Sequence, residues 1–283
     1  MKKDLRKIVW LASYPKSGNT WFRVFLSNLL SEKAQPVSIN ELYSTPIASS
    51  RVLFDDYSGV SASDLTLEEI EELRPEVYRQ IARETEDTVF QKVHDAWRLT
   101  PSGKPMFPSD ITKGVIYFIR NPLDVSVSFA FHSSRKPGKT VLQVNNKNHA
   151  FCQKPNRIYN QLLQPLSDWS GHVKSWVDES GLPVLVLKYE DMLTDTFGEF
   201  RKAVIFAGLI KSDEKIRSAI KASDLEKLAA MEKEEGFNEK PLGMEAFFRE
   251  GRSDSWKKHL NQEEKEALVN AQRTFMERFG YLK

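Results

Sequence analysis

The sequence predicts an α/β fold in which a single domain contains a mostly parallel central sheet flanked by helices. Four short apolar runs, at 8–12, 89–93, 115–119 and 184–187, have the length and composition of buried parallel strands. A helical stretch or a long connection follows each run, as in proteins whose strands and helices alternate. The 283 residues can fill one large core, and no proline-, glycine- or serine-rich stretch divides them, so we expect one domain over 1–283.

Helix signals follow the first and third runs. Residues from Thr20 to Leu30 carry apolar side chains at helical spacing. After the third run, Asn121 can cap a helix and Pro122 suits its first position, so we expect a helix that reaches about His132. Three further helix starts resemble capping boxes, in which Thr66 precedes Glu69, Ser223 precedes Glu226 and Asn261 precedes Glu264.

Two long segments, 133–165 and 235–255, lack a clear period of either helix or strand. Loops of this length in compact domains are usually functional covers or disordered. We therefore expect both segments to be lid loops over a site.

Composition argues against several classes of function. A net charge of +2 with 28% charged residues lacks the concentrated basic excess of a nucleic-acid binder. The single cysteine, Cys152, excludes an internal disulfide and a thiolate zinc cluster, and it fits a cytoplasmic location. The five histidines show no His-x-x-x-His spacing, so no metal site is predicted. The first apolar run is too short for a signal peptide, and no run has the roughly 20 apolar residues of a membrane span.

The octamer YPKSGNTW at 14–21 is typical of a turn that binds phosphate between a buried strand and a helix. Such a turn offers free backbone N–H groups, the positive end of a helix and the ammonium of Lys16. The pattern differs from G-x-x-x-x-G-K-[ST], because Lys16 precedes Gly18 and the first glycine is absent. An ordinary ATPase loop is therefore disfavoured.

Polar side chains follow the other predicted strands at the same edge of the sheet. Lys92 and His94 lie on one face at the end of the second strand, Arg120 follows the third, and Tyr189 follows the fourth. Ser128 lies about two helical turns after Arg120, and the two could hold a second phosphate. The converging positions favour a site that contains a titratable base.

Each of these residues also has a structural interpretation. A lone histidine at a strand end is more often a hydrogen-bonded structural residue than a base. Arg120 could instead pair with Asp124, and Ser128 could be a small packing residue.

The residues in this order resemble the cytosolic-type sulfotransferases, which transfer the sulfuryl group of 3′-phosphoadenosine 5′-phosphosulfate to acceptor hydroxyls or amines. The match runs nearly end to end and implies a P-loop-like sulfotransferase fold. Residues 14–21 resemble the family's loop for the 5′-phosphosulfate, 92–94 its catalytic histidine segment and 120–128 its 3′-phosphate site. Further similar segments lie at 168–176, 189–191 and 247–252 with Trp256, the last being the nucleotide clasp.

The resemblance implies a role for each matching residue. His94 would be the general base of an in-line transfer to a small-molecule hydroxyl without a metal, assisted by Lys16, Lys92 and Ser128. Ser128 would also restrain Lys16 until an acceptor arrives. Adenosine 3′,5′-bisphosphate would be the product. Residues implied to bind the nucleotide are Lys16, Ser17, Gly18, Asn19, Thr20, Trp21, Arg120, Ser128, Tyr189, Ser223, Phe248, Arg249, Gly251 and Arg252.

The chain departs from the family pattern in three places. Glu250 stands where the clasp usually has lysine, and Arg252 could substitute for it. Residues 222–225 lack the aromatic that commonly follows the nucleotide-binding Ser/Thr, which leaves adenine stacking chiefly to Trp21. The dimer motif aligned with 257–266 shows Asn261 and Gln262 in its middle, so no oligomeric state is predicted.

The residues alone leave two other functions possible. A small-molecule kinase could use the same strand, loop and helix with ATP and Mg²⁺. A non-catalytic nucleotide-binding protein could keep the fold without the reaction. For the acceptor, Phe131, Phe151, Phe247 and Phe248 in or beside the lids weakly favour an apolar hydroxylated metabolite.

Overall fold

The computed structural model describes residues 4–33, 35–42, 44–154, 157–241 and 243–282. Six strands occur in this part of the chain: β1 (Ile8–Ser13), β2 (Val89–Val93), β3 (Thr112–Ile119), β4 (Ala150–Phe151), β5 (Gln164–Pro165) and β6 (Val184–Lys188). The helices are α1 (Asn19–Leu30), α2 (Arg51–Ser58), α3 (Leu67–Glu84), α4 (Pro122–His132), α5 (Pro137–Val144), α6 (Trp169–Lys174), α7 (Tyr189–Thr194), α8 (Thr196–Phe206), α9 (Asp213–Ala222), α10 (Leu225–Glu235), α11 (Trp256–His259) and α12 (Gln262–Arg278). Within the described ranges, no helix combines the length and the apolar character needed to span a membrane.

The central sheet has the strand order β2-β1-β3-β6, and each adjacent pair is parallel. All six residues of β1 are buried because strands flank it on both sides and helices cover both faces. The predicted α/β class and its four parallel strands are confirmed, although β6, at one edge of the sheet, is only partly buried. β3 begins at Thr112 rather than at 115. Its first residues paired with β1 are Thr112 and Gly114, which are not apolar and so did not belong to the apolar run.

Two separate cores pack against the two faces of the sheet. Trp10 points into a core that also contains Trp169 and Trp176 from the region of α6. The alternate residues Val9 and Leu11 point into the other core, which is rich in phenylalanines from α1 and α8: Phe22, Phe25 and Phe200. Side chains therefore pack against both faces of the sheet. A binding site can form only at an edge, and the carboxyl edge is where the predicted site residues lie.

Two of the three predicted capping boxes are present, at Thr66 with Glu69 and at Asn261 with Glu264. The prediction for Ser223 is wrong. Ser223 ends α9, and its hydroxyl donates a hydrogen bond to the Ala219 carbonyl. Asp224 caps α10 instead, because its carboxylate accepts from the backbone N–H of Glu226.

The lid prediction is wrong in part for 133–165. This segment contains α5 and the short antiparallel pair β4–β5, and the two-residue strands were too short to show a period. Thr140 fixes α5 by donating to the Ser126 carbonyl, 2.9 Å away. The segment 235–255 is irregular after the end of α10, as expected, although Leu242 lies outside the described residues.

A buried ion pair joins α3 to the residue that follows His94. Arg74 donates to both carboxylate oxygens of Asp95, at 2.9 and 3.2 Å, and each side chain is 1% exposed. Arg74 also donates to the Leu163 carbonyl. The pair therefore fixes the end of β2 against the surrounding helices.

We expect Arg74→Met to lower the free energy of unfolding by about 3–5 kcal/mol, because it removes both hydrogen bonds to the buried Asp95 charge and leaves it only Arg98, 4.0 Å away. Arg79→Met on the same helix is the matched control, since Arg79 pairs with the 54% exposed Asp110. That control should lose no more than about 1 kcal/mol. Denaturant unfolding followed by circular dichroism measures both, and equal losses would contradict the assigned role of the buried pair.

Candidate active site

The turn between β1 and α1 has the geometry of a phosphate-binding loop. Lys16 and Gly18 have left-handed backbone conformations, with φ of 71° and 98°. A Cβ atom on Gly18 would lie 2.7 Å from the Tyr189 ring, so glycine is required by both its backbone and its close neighbour. Asn19 pins the turn by donating to the Leu11 carbonyl at 2.8 Å. The N-terminus of α1 thus opens towards the carboxyl edge of the sheet.

A cavity of about 720 Å³ lies at this edge. Nearly all of the sequence-predicted site residues line it: Lys16, Gly18, Asn19, Thr20, Trp21, Lys92, His94, Arg120, Ser128, Tyr189, Phe248, Arg249, Gly251 and Arg252. The segment 235–255 forms one wall of the cavity. From the other predicted lid, Phe151 and Gln161 reach the cavity.

Two predicted nucleotide-binding residues, Ser17 and Ser223, do not line the cavity. Ser17 belongs to the loop but is 1% exposed. Ser223 is fully buried, and its carbonyl accepts a hydrogen bond of 3.0 Å from the indole N–H of Trp21. The Ser223 carbonyl therefore positions the indole of Trp21, and Trp21 lines the cavity.

His94 is held in one tautomer by the backbone. Its Nδ1 lies 3.0 Å from the Ser13 carbonyl oxygen and 3.4 Å from the Ser13 hydroxyl. Because a carbonyl can only accept, Nδ1 carries the proton and Nε2 keeps its lone pair. Burial, followed by the charge of Lys92, lowers the pKa of His94 well below its ordinary value. The imidazole is therefore neutral at neutral pH, as a proton acceptor must be.

A second histidine, His172, makes a hydrogen bond to the backbone of His94. His172 Nε2 lies 3.0 Å from the His94 carbonyl oxygen, and its Nδ1 lies 2.7 Å from the Tyr117 hydroxyl. One helical turn later, Trp176 donates its indole N–H to the Asp95 carbonyl at 2.9 Å. Sequence reasoning did not assign this role, although the spacing of His172 and Trp176 within 168–176 was a usable signal.

Lys16 contacts His132 in this structure rather than Ser128, to which the resemblance assigns its restraint. Its Nζ lies 3.3 Å from His132 Nδ1 and 4.0 Å from the ring centre of Phe247. Ser128 lies one turn earlier on α4 and lines the same cavity. The His132 side chain is longer than that of Ser128, and it reaches the Lys16 ammonium from the next turn of α4. Burial, followed by the charges of Arg120 and Lys92, lowers the pKa of Lys16 to about 7.

Lys92 is engaged by a carboxylate that the sequence analysis did not identify. Glu239 places one oxygen 2.8 Å from Lys92 Nζ and the other 2.7 Å from an Arg23 nitrogen. Burial alone would raise the pKa of Glu239, but these two cations hold it well below its usual range. Glu239 lies in the irregular segment 235–255, where no periodic pattern identified a side chain that points into the site.

Arg120 joins the phosphate loop to the carboxy-terminal clasp. Its guanidinium donates to the Lys16 carbonyl at 3.2 Å and to the Arg252 carbonyl at 3.0 Å, and it lies 4.2 Å from the Tyr189 ring centre. The alternative pairing of Arg120 with Asp124 is wrong. Asp124 instead anchors the chain after the clasp by accepting from the backbone N–H groups of Asp254 and Trp256.

Glu250 partly neutralises the clasp. It lies 2.9 Å from Arg252 and 3.8 Å from Arg249, so the proposed substitution of Arg252 for the usual lysine is weakened by an internal ion pair. Arg249 also lies 3.3 Å from the ring centre of Phe131. The clasp backbone is held from below by Glu232, which accepts from the N–H groups of Phe247 and Phe248.

The loop, the neutral imidazole and the basic clasp occur together in one cavity. Residues 6–280 match the family described as the sulfotransferase domain. This chain belongs to that family. The resemblance inferred from the sequence motifs is thereby confirmed, and the expectation of a sulfotransferase is confirmed at the level of the family.

Several known proteins are similar to this chain. Flavonol 4′-sulfotransferase of Flaveria chlorifolia is 24% identical over 272 residues, which are 92% of this chain and 76% of that protein. Sulfotransferase 2A6 of Rattus norvegicus is 29% identical over 172 residues, 54% of this chain and 53% of that protein. The match thus spans about half the length of the rat relative.

Solved structures support the fold. A crystal structure of retinol dehydratase with androsterone and the inactive cofactor PAP superposes with a TM-score of 0.60 at 18% identity, covering 96% of this chain and 81% of that chain. Mouse sulfotransferase SULT7A1 complexed with PAP gives a TM-score of 0.57 at 15% identity, over 96% and 85% of the two chains. At these identities the likeness concerns the fold alone.

The low pKa of Lys16 is open to direct measurement. We expect its ammonium to titrate near pH 7, because burial and neighbouring cations favour the neutral amine. The chemical shift of the Lys16 ε-methylene, assigned with Lys16→Arg and followed by NMR from pH 5 to 11, measures this. A midpoint near the ordinary lysine value of about 10.4 would contradict the electrostatics described above.

Proposed function

We propose that this chain is a sulfotransferase that moves a sulfuryl group from 3′-phosphoadenosine 5′-phosphosulfate to a hydroxyl of a small molecule. The observation that carries the proposal is the neutral His94, held by the Ser13 carbonyl in the cavity that also contains Lys16 and the N-terminus of α1. Membership of the sulfotransferase-domain family supports the same conclusion.

The residues of the cavity fit such a donor. The left-handed Gly18 leaves room for a phosphate at the start of α1, where backbone N–H groups and the helix dipole favour an anion. Lys16 and Lys92 supply positive charge near His94, and Arg120 supplies it towards the clasp. The buried Nε of Arg120 has no hydrogen-bond partner among the described residues, so it remains available to a phosphate.

The proposed reaction is a direct in-line transfer. His94 Nε2 accepts the proton of the acceptor hydroxyl while its oxygen forms a bond to sulfur. The bond between sulfur and the 5′-phosphate oxygen breaks, and adenosine 3′,5′-bisphosphate leaves. Lys16, Lys92 and the backbone N–H groups of the loop stabilise the negative charge that develops on the leaving phosphate and the sulfuryl oxygens. The proposal assigns no step to a metal ion.

Electrostatic stabilisation should contribute more than the base. A positioned general base contributes about 10²–10⁴-fold in rate. Each donor aimed at developing charge is worth about 2.7–4 kcal/mol, and the loop and the two lysines supply several. His94 is therefore required for the reaction, but the electrostatic donors together lower the activation free energy more than His94 does.

We propose an apolar hydroxylated acceptor and a cytoplasmic location. Phe151 lies 6.5 Å from His94 between ring centres, and His132 and Phe247 extend this aromatic wall. Apolar compounds are named for similar proteins, a flavonol for the Flaveria enzyme and androsterone for the retinol dehydratase complex. The single cysteine is consistent with a reducing compartment.

We expect Lys16→Ala to lower kcat at least as much as His94→Ala, each by about 10²-fold or more. Nucleotide affinity should weaken mainly in the lysine variant, because His94 contacts the acceptor rather than the phosphates. Transfer of labelled sulfate to a panel of hydroxylated acceptors measures both. Lys147→Ala, a change at an exposed lysine, is the matched control and should retain activity. Full activity in either site variant would refute its assigned role.

Nucleotide preference separates this function from a kinase. Adenosine 3′,5′-bisphosphate at about 100 times its Kd should stabilise the protein by about 2.7 kcal/mol, while ATP with Mg²⁺ at the same concentration should do less. The stabilisation should fall in Arg120→Met, since that variant lacks the guanidinium proposed for the 3′-phosphate. Thermal unfolding measures the effect. A larger shift with ATP and Mg²⁺ would favour phosphoryl transfer instead.

A further inference from the structure

The segment 125–167 contributes to the wall of the cavity and contains no aspartate or glutamate. The whole chain holds 39 acidic residues among 283, so a stretch of this length would ordinarily contain several. From this segment Phe151 and Gln161 reach the cavity on the side of His94. Its lysines and arginines are all exposed: Arg135, Lys136, Lys139, Lys147, Lys154 and Arg157.

These six positive charges are not compensated. In the described part of the chain none of them forms an ion pair, whereas all three arginines of α3 pair with carboxylates. Exposed charges of this kind contribute little to stability, so folding alone does not require the excess. A surface of one sign beside a cavity raises the local concentration of oppositely charged ligands. The segment is therefore suited to attract an anion towards the cavity.

Two arginines place positive charge at the Gln161 end of the cavity. Gln161 forms an antiparallel bridge with Ser50, the residue before Arg51. Arg51 Nε donates to the Tyr159 carbonyl at 2.9 Å. Arg157 Cζ lies 5.2 Å from the ring centre of the same tyrosine. Both guanidinium groups are thus held beside the chain that leads to Gln161.

The charges of Arg51 and Arg157 also act close to Phe151. Burial raises the pKa of the thiol of Cys152, the next residue, and both arginines oppose this rise. The ring centre of Phe151 lies 6.5 Å from that of His94. The positive charge is therefore felt one residue from the aromatic ring that borders the imidazole.

The carboxylates in this region are engaged elsewhere. Asp55, one helical turn after Arg51, accepts a backbone N–H at 2.7 Å. Glu239 is held between two other cations at 2.8 and 2.7 Å. Arg51 Nη1 is buried and has no hydrogen-bond partner among the described residues, which is typical of a place for a missing anion or water. Arg51 therefore keeps an unused donor and an uncompensated charge.

We propose that the acceptor carries, besides the hydroxyl that meets His94, a negatively charged group that binds beside Arg51 and Arg157. The inference rests on the proposed function and names the class of acceptor, an apolar body with a carboxylate or another anionic group. The donor is itself an anion, so a second anion enters the same cavity only if further positive charge offsets the repulsion between them. The acid-free segment and Arg51 supply that charge outside the clasp.

Matched acceptors test the proposal. The panel consists of hydroxylated naphthalene and cyclohexane compounds, each supplied as the carboxylate and as the neutral primary amide. With labelled donor at low salt, we expect kcat/KM to be about tenfold or more higher for the carboxylates. The ratio should fall towards one at about 1 M salt, where charges are screened beyond about 3 Å. Both members of a pair meet the same donor, so salt effects on donor binding cancel in the ratio.

Arg157→Gln should lower kcat/KM about fivefold for the carboxylates and less than about twofold for the amides. Arg157→Lys keeps the charge and should keep the preference. Lys211→Gln removes an exposed lysine between α8 and α9 and is the matched control. The Kd of adenosine 3′,5′-bisphosphate should stay within about twofold of the wild type in all three, which verifies that each variant folds.

The outcomes separate the charged acceptor from the function. Transfer to the panel with equal kcat/KM for the two members of each pair, or with a preference for the amides, overturns the inference and leaves the proposed function intact. A preference that Arg157→Gln does not reduce overturns the assigned place of the anion. Protein that binds the bisphosphate but transfers to no carboxylate also overturns the inference. Protein that does not bind the bisphosphate refutes the proposed function and the inference with it.

Discussion

The parallel register of β1 against its neighbours is the constraint on which the site depends. Leu11 pairs with Lys92 and Ala12 with Val93, so the next residues, Ser13 at the end of β1 and His94 just after β2, lie side by side. The Ser13 carbonyl is thus available to accept a hydrogen bond from the Nδ1–H of His94. On the other side β1 pairs with β3, which brings Arg120 under the turn that contains Lys16. His94 and the basic residues converge because the strand ends converge.

The positive charge of the cavity is the second consequence of this arrangement. Lys16, Lys92, Arg23 and Arg120 lie around one space, and the Glu239 carboxylate lies among them. Mutual repulsion and burial appear together in the lowered pKa of Lys16. Repulsion between these cations raises the free energy of the folded protein. An anion that carries several charges would reduce this repulsion. Relief of this repulsion would contribute to the binding of the doubly phosphorylated nucleotide that we propose.

Local patterns predicted the strands, the turn at 14–21 and fourteen of the residues that line the cavity. These features depend on runs of neighbouring residues, which is why 8–12 and 89–93 were read correctly and the polar start of β3 was not. Ser223 was misassigned because its hydroxyl already bonds within α9. His132, His172 and Glu239 were missed as site residues because their contacts join distant parts of the chain. Such pairs become visible once the sheet and the covers are folded together.

The proposed reaction requires that the cavity binds one nucleotide in one orientation, with His94 beyond its 5′ end. A crystal structure of the chain with adenosine 3′,5′-bisphosphate tests this most directly. We expect the 5′-phosphate on the backbone N–H groups of residues 18–20 beside Lys16, and the 3′-phosphate against Arg120 and Ser128. A nucleotide bound in the reverse direction, or outside this cavity, would contradict it.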